Sequence, residues 1–382
     1  MSSIISKQLN RKLMLTVAAW CVVICAQAQI AANINWWNPA TTKFAVVNGQ
    51  GWASEVENTY DRFPLRAKQM VNADVWKLSK QSAGLQIRFK TNARQITIRY
   101  QVTEPLAMPH MPATGVSGVD LYGTDARGNT LWCAGKYSFK DTIEYKFTDL
   151  TPTNADAKTG IEYCLYLPLY NAVKWMEIGT PEGSTFIPQA ADSAKSVVIY
   201  GTSIVQGACA SRPGMAWAAI LARKLKLPVI NLGFSGSGKM EPEVVKVVNE
   251  IDARVFVLDC LPNLVGGKAD FSASEIYNRL TNAVKQIRKL HPVTPIILTD
   301  HFGYTDAAIN TVKRDRYKMV NGVNHQAFAD LKAGGVKNLS LLPIEALKQD
   351  MDTMVDGIHP TDLGMMRYAD AYWRMVTKIL AK

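Results

Sequence analysis

Three residues near the two ends of the chain's second half carry the types that nucleophilic hydrolysis needs. Ser203 stands in "YGTSIVQGACA", flanked by the small residues Gly201 and Thr202. Asp356 precedes His359 by three positions in "DGIHPTDLG". A serine becomes a useful nucleophile when an imidazole takes its proton and a carboxylate orients that imidazole. The reaction also needs donors for the negative oxygen that develops on the carbonyl. Asn263, closing "LDCLPN", is one candidate, and the loop in "VINLGFSGSGKM" (Val229–Met240) is another. That loop has a second reading. Gly233, four residues and then Gly238-Lys239 approach the spacing of a phosphate-cradling loop, but Met240 stands where a Ser or Thr should reach the metal. Ser203 likewise has a plainer alternative, as the N-cap of a helix.

These residues acquire meaning from the elements around them. From about residue 29 to 187 the hydrophobic period is two: "LQIRFK", "QITIRYQV", "GVDLYG", "TLWCAG" and "IEYCLYLPLY" are short runs divided by Gly, Pro, Asn and Asp. That pattern predicts an antiparallel, jelly-roll-like β-sandwich without helices between its strands. "PEGSTFIPQAADSAKS" is small and polar, and residues 188–196 read as a linker. From residue 197 to 382 the runs "SVVIYG", "PVINLG", "ARVFVLDC", "PIILTD" and "NLSLLPI" are apolar throughout and alternate with helical segments. Such alternation predicts a parallel sheet with helices on both faces. Its ligand site lies outside the carboxyl ends of the strands, where Ser203, the Gly236 loop and Asn263 all fall.

Composition bounds the rest. At 382 residues the chain can hold two cores, and its 48% hydrophobic and 20% charged content is that of a globular protein. Lys7, Arg11 and Lys12 precede an apolar run from Leu13 to Cys25 and the small residues Ala26 and Ala28, so residues 1–28 read as a cleavable signal peptide. Its removal takes the net charge from +11 to +8. The expected mature protein is soluble, without a membrane span, and periplasmic or secreted. Its basic residues are scattered, without the dense stripe that nucleic-acid binding requires. Four cysteines remain in it: Cys133, Cys164, Cys209 and Cys260. None has metal or redox spacing. Cys133 and Cys164 lie in strand-like runs, either as a disulfide or as buried thiols. No cofactor and no resident metal are expected, and oligomeric state is not legible.

The ordered blocks at Ser203, the Gly236 loop, Asn263 and Asp356-x-x-His359 resemble those of the SGNH (GDSL-type) hydrolases. The resemblance covers residues 196–382. Thr202 stands where that family usually has Asp, and Pro262 and Leu264 flank Asn263 in place of the common Gly-x-Asn-Asp form. "GVDLY", Gly118–Tyr122, resembles the motif of a β-sandwich N-terminal to one branch of these enzymes. The resemblance implies a flavodoxin-like three-layer α/β domain with Ser203 as nucleophile, His359 as base and Asp356 as its orienter. It further implies an oxyanion hole from the N–H of Ser203, the N–H of Gly236 and the Asn263 amide, with Gly233 a turn residue and Gly238-Lys239 starting the helix. This branch's exported members imply a carbohydrate O-acetylesterase acting on an acetylated glycan or another small ester. Hydrolysis of a lipid, thioester or other acyl substrate is the first alternative, and a catalytically idle glycan-binding protein the second. His301, after the fourth strand, and His110, in a loop between methionines, are the candidate substrate contacts. His301 is expected near the rim and His110 in a loop over the cleft. His291 and His325 read as surface or packing residues.

Overall fold

The computed structural model describes residues 33–56, 59–151, 160–267 and 270–381. Residues 1–28, expected to be a signal peptide, fall outside them. Five parallel strands form one sheet: Val197–Gly201, Val229–Gly233, Val255–Asp259, Ile296–Thr299 and Leu339–Leu342. Their spatial order is 2-1-3-4-5, the flavodoxin-like arrangement, and every neighbouring pair is parallel. All five residues of each of the first three strands are buried, which is why their sequences are apolar without alternation. Helices Trp217–Leu225 and Asp362–Leu380 cover one face. Helices Pro242–Val248, Ala273–Leu290 and Thr311–Ala333 cover the other. The order reverses around the first strand, between the second and the third, so a crevice opens at the carboxyl ends of strands one and three.

The first half folds into two antiparallel sheets. One orders Ile34–Trp37, Val173–Pro181, Ile96–Val102, Ile143–Phe147 and Lys136–Ser138. The other orders Phe186–Pro188, Gln86–Thr91, Ile161–Tyr166, Asp120–Thr124 and Thr130–Cys133, with Val47–Asn48 added alongside Gln86–Thr91. Alternate residues such as Ile87, Phe89, Leu121 and Leu165 face Ile96, Ile98, Phe147 and Ile178 across a shared core. The period-two pattern is the trace of that burial. Cys133 and Cys164 are free thiols, on strands that both flank Asp120–Thr124, so the disulfide alternative does not hold.

Two features depart from the expected layout. Short helical turns do interrupt the strands: Leu65–Gln69 and Ala73–Ser79. Asn72 caps the second by accepting the N–H of Val75 at 2.9 Å. Neither turn is long enough to impose a visible 3.6-residue period. Their buried residues Ala67, Val71 and Val75, with Trp52 and Phe63, pack against Val198, Phe234 and Val244 in the core of the parallel sheet. Arg62 completes the joint. Fully buried, it donates to the carbonyls of Leu78 (2.6 Å), Gln81 (2.8 Å), Asn231 (3.3 Å) and Gly233 (2.6 Å). The stretch read as a linker is also tied to the sandwich, since Gln189 N–H donates to Arg88 and Ala191 N–H to Ala45.

"GVDLY" has a structural role at the same boundary. Asp120 accepts from Arg212 (2.7 Å), from Gly214 N–H (2.8 Å) and from Trp132 Nε1 (2.9 Å). Arg212 also reaches the Tyr122 hydroxyl at 2.6 Å. A side chain at Gly214 would collide with that hydroxyl, so glycine lets the two halves meet.

Candidate active site

Ser203 begins the single-turn helix Ser203–Gln206 directly after the first strand. The N-cap is its neighbour Thr202, whose hydroxyl accepts the N–H of Ile204 at 3.3 Å. The Ser203 hydroxyl is thereby left for other work. It lies 2.9 Å from His359 Nε2, and His359 Nδ1 lies 2.7 Å from Asp356 Oδ2. A carboxylate at Nδ1 holds the proton there and leaves the Nε2 lone pair facing the serine. The other Asp356 oxygen accepts the backbone N–H of His359 (2.8 Å) and of Ile358 (3.2 Å). One carboxylate therefore closes the loop and orients the ring, which is the physical content of the three-residue spacing. Gly357 supplies the left-handed residue in that loop, at φ +87. Val355 N–H donates to the His359 carbonyl at 2.8 Å, so the loop is pinned at its base. Partial burial pushes the Asp356 carboxyl upward, but the hydrogen bonds and charge of His359, with Ile358 N–H, hold it below the usual carboxylate range. It is ionised at neutral pH.

Ser203, Gly236 and Asn263 line the same crevice. The N–H groups of Ser203 and Gly236 have no hydrogen-bond partner among the described residues. Gly236 adopts φ +67, a left-handed conformation, and a Cβ added there meets nothing within 4 Å. Glycine at this position answers a backbone requirement, and not a lack of room. The amide of Asn263 is oriented with Oδ1 toward the N–H groups of Ser237 and Gly238, 3.1 Å from each. Its NH2 group is then freed from those donors and turned the other way. Gly238 does not begin a helix, contrary to expectation. The helix starts at Pro242, and Gly238 lies in the turn against Gly201, whose carbonyl would collide with any side chain there. Gly233 closes the second strand, where a side chain would strike the backbone of Gln206.

A cavity of ≈ 410 Å³ is lined by Ser203, Gly236, Asn263, Tyr304, Lys313 and His359. A second, of ≈ 510 Å³, shares Gly236 and Asn263 and is walled by Lys77, Gln81, Glu104, Met108 and Tyr170 from the first half. Sequence reasoning placed only the His110 loop over the cleft, and missed the rest of this wall and Gln206. That buried side chain accepts the N–H of Ser235 (3.0 Å) and donates to Gln81 Oε1 (2.5 Å) and Leu169 O (3.1 Å). Its only sequence signal is a polar residue inside an otherwise buried turn.

The two candidate histidines separate. His110 does reach the site: its ring stacks on His359 with centroids 5.9 Å apart and planes 25° apart. His301 does not reach the rim. It is fully buried, its Nδ1 accepts Gly303 N–H at 2.9 Å, and burial pulls its pKa down to about 3, so it stays neutral. The strand end carries it under the loop and not onto the surface. His291 Nε2 donates to the Asn249 carbonyl (2.8 Å), and His325 pairs with buried Asp300 (2.8 Å). His291 packs against Phe256, while His325 is exposed at the surface.

Comparison with known proteins agrees with this architecture. The GDSL-like lipase/acylhydrolase family matches residues 194–377, and the GxDLY domain, the N-terminus of SGNH-hydrolase-type esterases, matches 34–186. A GDSL-like lipase from Bacteroides ovatus is 32% identical, with a TM-score of 0.82 over 91% of this chain and 98% of that one. A salicylyl-acyltransferase from a tetracycline biosynthetic pathway aligns over 91% of this chain and 97% of its own, with 18% identity and a TM-score of 0.68. A family two carbohydrate esterase from Cellvibrio japonicus aligns over 92% and 99%, with 10% identity and a TM-score of 0.57. At those identities the last two report on fold alone. No curated protein sequence matches the chain.

Proposed function

The chain belongs to the GDSL-like lipase/acylhydrolase family, a family of carboxylic-ester hydrolases, and on that premise we propose that it is an exported serine esterase removing acetyl groups from decorated carbohydrates. The observation that carries the catalytic reading is the continuous Ser203–His359–Asp356 hydrogen-bond chain, 2.9 and 2.7 Å, ending in the shared cavity. Ser203 Oγ attacks the ester carbonyl while His359 Nε2 takes its proton. The tetrahedral oxyanion is received by the N–H groups of Ser203 and Gly236 and by the Asn263 amide. His359 then gives the proton to the departing sugar hydroxyl, leaving an acetyl-Ser203 ester. Water, deprotonated by the same imidazole, releases acetate and restores the serine. Asp356 stays ionised throughout and steadies the imidazolium.

The carbohydrate preference is supported by structural neighbours that include family two carbohydrate esterases and an acetyl xylan esterase from Butyrivibrio proteoclasticus. The polar wall of Lys77, Gln81 and Glu104 beside the oxyanion loop suits a hydroxylated leaving group. Export follows from the signal-peptide pattern of residues 1–28, and N-terminal sequencing of the secreted product is expected to begin at Gln29.

The deciding experiment measures acetate release from a panel of acetylated oligosaccharides, alongside aryl esters of rising acyl length, for the mature protein and Ser203→Ala. Acetyl substrates are expected to turn over best, with Ser203→Ala slower by on the order of 10³-fold or more. Equal background rates for both proteins would sink the esterase mechanism. A rate that climbs with acyl length, with no release from the oligosaccharides, would replace the carbohydrate reading with the lipid one.

A further inference from the structure

His359 has two neighbours that hydrolysis does not use. The sulfur of Cys209, a nitrogen of His110 and a nitrogen of His359 all lie within 4.8 Å of one another. Ninety-nine residues separate His110 from Cys209 and one hundred and fifty separate Cys209 from His359, so no local spacing announces the group. We propose that His110, Cys209 and His359 form a binding site for zinc(II), and that zinc bound there switches the esterase off.

The donor chemistry selects the ion. Two imidazoles and a thiolate suit zinc, whereas magnesium and calcium prefer oxygen ligands. Zinc bonds of about 2.0–2.1 Å to nitrogen and 2.3 Å to sulfur bring tetrahedral donors to within about 3.3–3.8 Å of one another. Closing from the observed separations takes about one ångström of movement. The part that moves is available: His110 is exposed, on a loop closed by a bridge between Met108 and Met111. The Cys209 side is fixed. Its backbone is held left-handed at φ +67, with Ala208 N–H on the Ser203 carbonyl and Ala210 N–H on the Gly207 carbonyl. Ser211, two residues on, is tied through its N–H and hydroxyl to Asp362. The thiol makes one weak contact, 3.4 Å to the His110 carbonyl, so binding breaks no strong hydrogen bond at sulfur. Burial first, and then the charge of the Asp356 carboxylate, push the Cys209 thiol up to about 12, so zinc binds by displacing a proton that the free thiol holds. On metalation the Cys209 S–H bond breaks, sulfur keeps the electron pair for the metal, and the proton goes to solvent. Water completes the fourth position.

Inhibition follows from the occupied ring. Metal at Nε2 takes the lone pair that faces Ser203, and metal at Nδ1 displaces the bond to Asp356. That consequence rests on the proposed triad; the binding itself does not. The test therefore has two readouts on the EDTA-treated full mature chain. In the first, cobalt(II) titration is expected to give a sulfur-to-metal charge-transfer band, absent in Cys209→Ser. In the second, micromolar zinc is expected to inhibit ester hydrolysis saturably and EDTA to reverse it, with magnesium inert. Cys209→Ser and His110→Ala should each raise the half-inhibiting zinc concentration by on the order of tenfold or more. A chain with no esterase activity that still shows the band keeps the site and loses only the proposed function. The absence of the band in the unsubstituted protein, or zinc inhibition unchanged in both variants, overturns the proposal.

Discussion

Asp259→Asn is the substitution whose effect the structure sizes most directly. Asp259 ends the third parallel strand, beside Gly201 of the first, and is 2% exposed. Its one side-chain partner among the described residues is the Tyr372 hydroxyl at 2.8 Å, and Tyr372 also bonds Thr299 at 2.7 Å. No cation neutralises it among the described residues. Burial raises its pKa from 3.8 to about 6, with the Tyr372 bond opposing that rise. A folded-state pKa above the unfolded one means the native state holds the proton more tightly. The stability this provides is complete below pH 3.8 and is lost as pH rises through about 6. A shift of about two units corresponds to about 3 kcal/mol, of which about 2–3 kcal/mol is lost between pH 4 and pH 7. An asparagine in its place cannot ionise and escapes that loss. Burying an amide NH2 in place of a carboxylate oxygen carries a cost that does not vary with pH, about 1–3 kcal/mol where the NH2 finds no acceptor. The absolute ranking of the two proteins at one pH is therefore a poor test, and the slope is a good one.

Urea unfolding of both proteins from pH 4 to pH 8 isolates that slope, because every other titrating group cancels in the difference. The stability of Asp259→Asn relative to the unsubstituted protein should climb by about 2–3 kcal/mol from pH 4 to pH 7 and then level off. Tyr372→Phe gives a cross-check: without its hydroxyl the Asp259 pKa rises further, and the loss moves to higher pH. Parallel pH profiles for the two proteins, or a relative stability that falls with pH, would refute the reasoning.

Three further outcomes are expected. Under the proposed oxyanion role of the amide, Asn263→Ala should lower kcat by about 10²–10³-fold with little change in KM; steady-state kinetics on an aryl acetate decides it. Arg62→Met removes four hydrogen bonds to carbonyls of both halves and should cost about 3–5 kcal/mol, read by chemical denaturation. Asp120→Ala strands Arg212, Trp132 Nε1 and Gly214 N–H at the boundary between the halves, with an expected loss of about 3 kcal/mol or more in the same assay.

What could be read in advance follows a physical line. The parallel strands are buried on both faces and the sandwich strands on one, so their hydrophobic periods differ and the two architectures separate by inspection. Ser203, Asp356 and His359 were legible because strand ends and a short self-closing loop place them locally. Ser203's alternative as an N-cap was decided only by the adjacent Thr202, a choice between two hydroxyls that sequence leaves open. The turns at Leu65–Gln69 and Ala73–Ser79 were illegible because one or two turns set no period. His301 was misplaced by position alone: following a strand puts a residue at the sheet's upper edge, but the next loop folds over it. The grouping of His110, Cys209 and His359 could not be foreseen, since nothing in the spacing of distant residues encodes their approach.

The division into a sandwich and a hydrolase understates how the cleft is held. An oxyanion hole works when its donors are already aimed before charge develops, so the proposed role of Gly236 demands fixed backbone there. Ser235 N–H is held by Gln206, and Gln206 is held in turn by Gln81. Arg62 grips the Gly233 carbonyl at the head of the same loop and anchors its own fork on Leu78 and Gln81. Both lines of restraint begin between residues 62 and 81, in the half that looked like a separate β-domain. Loosening that segment should therefore blunt transition-state stabilisation while leaving Ser203, His359 and Asp356 in register. Gln81→Ala is the perturbation to make, since it breaks the line where it enters the first half, and an aryl acetate too short to reach the Gln81 wall keeps the readout to the loop. A fall in kcat on that substrate with the unfolding midpoint little changed is the expected result. A stability loss with kcat intact would show that these bonds only hold the halves together.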